Sequence, residues 1–275
     1  MSFGDRLDAV VEQRGPACVG IDPHPPLLAS WGLADDVDGL ARFAEICVAA
    51  YRDSAAVVKP QSAFFETYGA RGIAVLEHTV AELRSAGALV LLDVKRGDIG
   101  STMAAYARAY LDPASSLAAD AITVSPYLGV GSLDPAFELA AKHDAGLFVL
   151  AQTSNPEGPQ VQLATAAGGR PVGQVVVDEV AARNAQFAPH GPFGLVVGAT
   201  IEPGAVTYES LGGPILAPGV GTQGGTPDSV RRIFGSSLRA VLPSVSREVL
   251  QHGPDPSALR SAVLQLNDTF AFIRA

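Results

Sequence analysis

Four ionisable side chains supply the first chemical clue: Lys59, and then Asp93, Lys95 and Asp98 within the run Asp93-Val94-Lys95-Arg96-Gly97-Asp98. An alternation of ammonium and carboxylate fixes where charge sits, and each lysine is kept protonated by its acidic neighbours. An ammonium held against a reacting carbon stabilises negative charge that develops there and can then act as the acid that protonates it. A purely structural ion-pair network is the alternative for one Asp–Lys pair. Four such charges are harder to explain that way, because burying a charge network costs stability unless something else requires it.

Short apolar, β-branched runs alternate along the whole chain with longer helical patterns, and these must position the charges. The expected strands are Ala17–Asp22, Ala55–Gln61, Ala88–Lys95, Ala121–Ser125, Gly146–Thr153, Phe193–Thr200, Pro214–Gly219 and Leu238–Ser244. Amphipathic segments between them include Leu40–Arg52, Gly72–Ser85, Ser101–Leu111 and Val172–Gln186, and Ser257–Ile273 follows the last strand. Eight strand–helix units without a return hairpin predict an α/β fold, a (β/α)8 TIM barrel in one domain spanning residues 1–275. A doubly wound open sheet would place a Gly-rich dinucleotide turn after its first strand. Here that turn reads Gly20-Ile21-Asp22-Pro23-His24-Pro25-Pro26, and its prolines are expected to stop a helix from starting.

Strand periodicity then sorts the side chains. Leu89, Leu91, Asp93 and Lys95 share one face of their strand, while Val90, Leu92 and Val94 share the other, wholly apolar one. The apolar face suits the outer helices, so the charged one points into the barrel. The same parity groups Val57, Lys59 and Gln61, and likewise Cys18, Gly20 and Asp22. Ionisable groups therefore end each of the first three strands on the side where barrel active sites are built. Strands lie roughly 4.8 Å apart, which brings Lys59 within reach of the Asp93/Lys95 pair.

Composition limits the partners. Net charge is −9, with 48% hydrophobic and 17% charged residues. That describes a globular protein with a sizeable core and disfavours a nucleic-acid groove, which needs clustered Lys and Arg. A few placed cations can still bind a small anion. Cys18 and Cys47 sit in apolar runs and read as buried free thiols. The five histidines lack mutual metal-ligand spacing, and His24, among prolines, is assigned to structure. The N-terminus lacks a signal-peptide pattern, and no apolar run reaches the ~18–20 residues of a membrane span, so a cytoplasmic protein without membrane attachment is expected. The stretch Asn155–Pro171, rich in Gly, Ala and Gln, is expected to be a long loop after the fifth strand, serving as a lid or a binding loop.

The run Leu92-Asp93-Val94-Lys95-Arg96-Gly97-Asp98-Ile99-Gly100-Ser101-Thr102 resembles the active-site signature of the orotidine 5′-monophosphate decarboxylase family. Val19-Gly20-Ile21-Asp22-Pro23 and Val58-Lys59-Pro60-Gln61-Ser62-Ala63-Phe64-Phe65-Glu66 look like its first two strand ends, and Ala217-Pro218-Gly219-Val220-Gly221-Thr222-Gln223-Gly224-Gly225 resembles its phosphate loop. The matches run in family order from about residue 17 to 250, and the longer, mycobacterial-type branch fits best.

The resemblance implies cofactor-free and metal-free decarboxylation of orotidine 5′-monophosphate, with Lys59, Asp93, Lys95 and Asp98 as the catalytic network. It implies Asp22 as the acceptor of a ribose hydroxyl and Ile99 as an apolar wall on the pyrimidine. Ser125 would contact the base and Ser154 is a further candidate, while Gln223 and Arg247 would hold the phosphate, with Arg239 as substitute. Asp98 and Thr102 would enter the neighbouring subunit's site, which implies a homodimer. The rival is a magnesium-dependent sugar-phosphate decarboxylase or aldolase of the same superfamily. It shares Asp-x-Lys-x-x-Asp but needs another acidic metal ligand after the second strand, where only Glu66 is near.

Overall fold

The eight apolar runs pair in parallel and in sequence order, and the last closes on the first. In the computed structural model, which describes residues 1–275, the strands are β1 (Cys18–Ile21), β2 (Val57–Pro60), β3 (Leu89–Arg96), β4 (Ala121–Val124), β5 (Gly146–Gln152), β6 (Phe193–Val197), β7 (Ile215–Pro218) and β8 (Val241–Val245). The chain therefore folds as a closed (β/α)8 barrel.

Alternation splits the apolar side chains into two cores. Cys18, Val57, Leu89, Leu91, Phe148 and Leu216 face inward and fill the barrel. Val19, Val58, Val90, Leu92, Val149 and Leu195 face outward and pack under the helices. The inward assignment of the β1, β2 and β3 faces is thus correct. Both cysteines are buried free thiols. No helix is long and apolar enough to cross a membrane.

Four features depart from the sequence expectations. First, the helix Phe3–Arg14 closes the bottom of the barrel, with Phe3, Leu7 and Val11 joining the inner core. Phe3 meets Phe148 edge to face, with ring centroids 6.2 Å apart. A Cβ on Gly146 would lie 2.5 Å from the Phe3 ring, so only glycine permits that approach.

Second, a short helix does start after β1, at Pro25–Ser30. Proline at the first helical positions loses nothing, because those N–H groups have no intrahelical acceptor, and its fixed φ suits the helix.

Third, β8 begins at Val241, and Gly235–Ala240 is a 3-10 turn. The ladder to β7 starts where Val241 meets Ile215, and Pro214 before it carries no N–H.

Fourth, no helix separates β6 from β7. The connection contains Pro203, Gly204, Gly212 and Pro214, with both glycines at positive φ. Tyr208 occupies the layer instead: it is buried, lies against Phe234, and donates its hydroxyl to Gln152.

Phe3→Ala should lower unfolding free energy by about 3–5 kcal/mol, the usual cost of emptying a buried aromatic site. Urea denaturation monitored by circular dichroism measures it, and a loss below ~1 kcal/mol would show that the plug does not support the barrel.

Candidate active site

A cavity of about 380 Å³ opens at the C-terminal ends of the strands, with Asp22, Lys59, Asp93, Lys95, Gln223 and Arg247 among its lining residues. Parity delivers them: Asp22 follows β1, Lys59 lies near the end of β2, and Asp93 and Lys95 lie on β3.

Asp93 is the centre. Lys59 Nζ donates to Asp93 Oδ2 at 3.1 Å, and Lys95 Nζ donates to Asp93 Oδ1 at 2.7 Å. Thr123 Oγ1 donates to the same Oδ1 at 2.7 Å. Burial alone would raise the Asp93 pKa, but the two ammoniums and the Lys95 and Thr123 hydrogen bonds outweigh it and hold the carboxyl at about 2. Burial would lower the Lys59 pKa, yet the charges of Asp93 and Asp22 raise it, so this lysine stays protonated. The two ammoniums differ in access: the Lys59 side chain is 7% exposed and that of Lys95 46%.

Lys95 is also unusual in its backbone, with φ of 42°. Leu92 pairs with Ile122 and Arg96 with Val124, so the β3–β4 register shifts between them. The Lys95 N–H donates to Thr123 Oγ1 at 2.9 Å.

At the end of β1, Asp22 Oδ1 is buried and has no hydrogen-bond partner. A buried acceptor without a donor implies a missing one, such as a ligand hydroxyl. Gly219, Gly221 and Gly224 all have positive φ in the loop after β7, and the Thr222 and Gln223 N–H groups are bonded to nothing in the chain. Such a turn suits an anion. Arg247 lines the same end and makes no ion pair, whereas Arg239 precedes β8 at the opposite end and binds Glu12 at 3.0 Å. Of the two arginines, only Arg247 lines the cavity.

Other expected residues are not brought to this cavity. Asp98 makes no ion pair with either lysine, and its Oδ1 accepts only from the Ile99 N–H at 2.8 Å. Ile99 is 61% exposed, and Thr102 is exposed on the helix Gly100–Leu111. Ser125 follows β4 half-buried with its N–H donated to the Arg96 carbonyl, while Thr123, two residues earlier, lines the wall. Ser154 is exposed beside the glycine loop. The segment Asn155–Pro171 is largely irregular but includes a short helix, Pro159–Gln162, whose Gln162 side chain bonds Thr153 through both amide atoms.

Sequence reasoning missed Thr123 and His24. Inward parity on β4 marks Thr123, and His24 lines the cavity with its ring 4.2 Å from that of Phe64. Glu66, the acid that a magnesium-dependent rival would need, is engaged elsewhere. It accepts from Ser62 at 2.7 Å and pairs with Arg96 at 2.8 Å.

The family model described as "Orotidine 5'-phosphate decarboxylase / HUMPS family" matches residues 16–262. Orotidine 5'-phosphate decarboxylase of Salinispora arenicola is 62% identical over 261 residues, covering 95% of this chain and 94% of the relative. That of Streptomyces coelicolor is 59% identical over 262 residues, covering 94% of each. Among solved structures, a Streptomyces avermitilis protein provisionally assigned the same activity superposes with a TM-score of 0.97 at 55% identity, covering 100% of this chain and 96% of that one. Leishmania donovani OMP decarboxylase superposes at 0.78 with 31% identity, covering 100% and 99%.

The Asp93 network sets a limit in acid. Its folded pKa of about 2 lies below the ordinary 3.8, so the stabilisation is complete above pH 3.8 and is lost as pH falls toward 2. Asp93→Asn should be less stable at neutral pH, because it leaves Lys59 buried without its hydrogen-bonded counter-charge, and should lose less stability than the unsubstituted protein over that window. Parallel curves of unfolding free energy against pH for the two proteins would contradict this assignment.

Proposed function

The chain belongs to the orotidine 5′-phosphate decarboxylase family, and from that premise we propose a residue-level account of how it converts orotidine 5′-monophosphate to uridine 5′-monophosphate and CO2. The observation that carries it is one buried carboxylate, Asp93, clamped between two ammoniums in the cavity that the unpartnered Asp22 oxygen also lines.

The nucleotide's phosphate sits in the glycine loop against Gln223 and Arg247, and a ribose hydroxyl donates to Asp22 Oδ1. Phosphate binding far from the reacting carbon helps to order the site around the substrate. The pyrimidine then presents its C6 carboxylate to Asp93 and its C6 atom to Lys95. The C6–carboxylate bond breaks with its electron pair left on carbon. No adjacent π system delocalises that charge well, so a preorganised ammonium must stabilise it, and Lys95 does. A proton then passes from Lys95 Nζ to C6, and solvent recharges the amine. Asp93 holds Lys95 in place, and its repulsion of the substrate carboxylate is relieved as CO2 leaves. Lys59 contacts the ribose and keeps Asp93 charged. This sequence of steps uses no metal or organic cofactor.

Asp98 and Thr102 act in the neighbouring subunit's site, and Ile99 forms an apolar wall on the pyrimidine. The family resemblance supports a homodimer. So does the rim itself, where Asp98 lacks a cationic partner and Ile99, Tyr127 and Leu128 are exposed on the loops after β3 and β4. Residues 1–275 act in this reading as one barrel domain, in the cytoplasm.

Chelator-treated protein should consume the absorbance of orotidylate without additions. Lys95→Ala should reduce kcat by at least about 10³-fold, in line with removing a principal electrostatic group. Full turnover by that variant would sink the mechanism. For the dimer, an inactive Lys95→Ala protein mixed with an inactive Asp98→Ala protein should regain activity, because one of the two shared sites becomes intact. Mixtures as inactive as their components, despite subunit exchange shown by differently tagged chains, would count against sharing.

A further inference from the structure

The β3 bulge is wider than one residue. Leu92 pairs with Ile122 and Arg96 with Val124, so Asp93, Val94 and Lys95 together stand opposite Thr123 alone. Lys95 absorbs the excess chain with φ of 42°, a region that a long side chain with a Cβ rarely occupies. Such a conformation persists only where its surroundings enforce it. A bulge also strands backbone groups, because the ladder at that point has too few partners.

One side chain addresses both problems. Thr123 is 1% exposed, and its hydroxyl accepts from the Lys95 N–H at 2.9 Å. With that lone pair engaged, its own proton goes to Asp93 Oδ1 at 2.7 Å. The hydroxyl thus ties the backbone of Lys95 to the carboxylate that also receives the Lys95 ammonium at 2.7 Å. Backbone, carboxylate and ammonium form one closed unit with Thr123 as its only member outside β3.

We infer that Thr123 is a positioning residue for the decarboxylation: its hydroxyl locks the strained Lys95 backbone so that the ammonium is held over Asp93 and aimed at the substrate carbon. This rests on the role given to Lys95 under the proposed function. The requirement is for a hydroxyl at the inward position of β4 two residues past Ala121, and serine meets it while the isosteric valine does not. The proposed function assigns substrate capture to Asp22 and the glycine loop, so the effect falls on the chemical step.

The test compares Thr123→Val and Thr123→Ser with the unsubstituted enzyme in steady-state turnover, together with the affinities of uridylate and of a uridylate analogue bearing an anionic oxygen at C6. Thr123→Val should lower kcat by about 10- to 100-fold, the range for losing a hydrogen bond to a charged group, with KM within about 3-fold. Affinity for the anionic analogue should fall by a similar factor, while that for uridylate stays within about 3-fold. Thr123→Ser should restore kcat to within about 3-fold. If Thr123→Val does not fold, Thr123→Ala takes its place, since water can then satisfy the Lys95 N–H. Unchanged kcat in the hydroxyl-free variant, parallel losses in kcat and uridylate affinity, or a serine variant as impaired as valine would each overturn the role. The unsubstituted enzyme's own turnover reads the decarboxylase assignment separately, so the two failures are distinguishable.

Discussion

A carboxylate excluded from water is the constraint on which this site depends. Burial by itself would favour neutral Asp93, and a neutral acid could not anchor an ammonium. The group remains charged because Lys59, Lys95 and Thr123 each give it a hydrogen bond. Such a cluster adds little net stability, since desolvating its members roughly cancels their attraction. In the proposed mechanism its value is orientational: the charges are in place before substrate arrives, so no dipoles need reorganise as carbanion charge develops.

The barrel supplies what that cluster needs. Its interior below the charges is filled by Leu89, Leu91, Val57 and Phe148, and its base is closed by Phe3 and Leu7, so water cannot enter from beneath. Pairing between β1 and β2 sets Lys59 opposite Gly20, and the isolated bridge between Gln61 and Asp93 joins the β2 and β3 ends beside it. The glycine loop, on β7, lies across the same mouth. In the proposed function a substrate spanning the two regions is gripped at one end and reacts at the other.

Much of this was legible in the sequence because side-chain period in a strand is two. Parity alone put Asp93, Lys59 and Asp22 inside the barrel mouth, and no tertiary information was required. The failures have physical reasons. Parity placed Lys95 inward correctly but could not show the bulge that carries it, because the shorter facing stretch lies on another strand, β4. Spacing alone cannot say whose site Asp98 serves: within its own subunit the chain turns away after Gly97, and the carboxylate meets only the Ile99 N–H. The helix Phe3–Arg14 was missed because its purpose is set by an opening that exists only once eight strands close. Between β6 and β7, alternation implied a helix, but Pro and Gly forbid it and a single buried tyrosine fills the gap.

Two ammoniums contact one carboxylate, and their surroundings separate their roles. Lys59 is nearly sealed, and both Asp93 and Asp22 favour its charged form, so it gives up a proton reluctantly and has little contact with solvent to regain one. It is suited to holding charge. Lys95 bonds the other oxygen of Asp93, yet almost half of its side chain is open to the cavity. A proton donor must surrender its proton once per turnover and recover it from water, which requires that access. Had the exposures been reversed, the same charges at the same distances would form a stable pair with no route for recharging the donor. Burial on one side of Asp93 and access on the other therefore support the donor role proposed for Lys95.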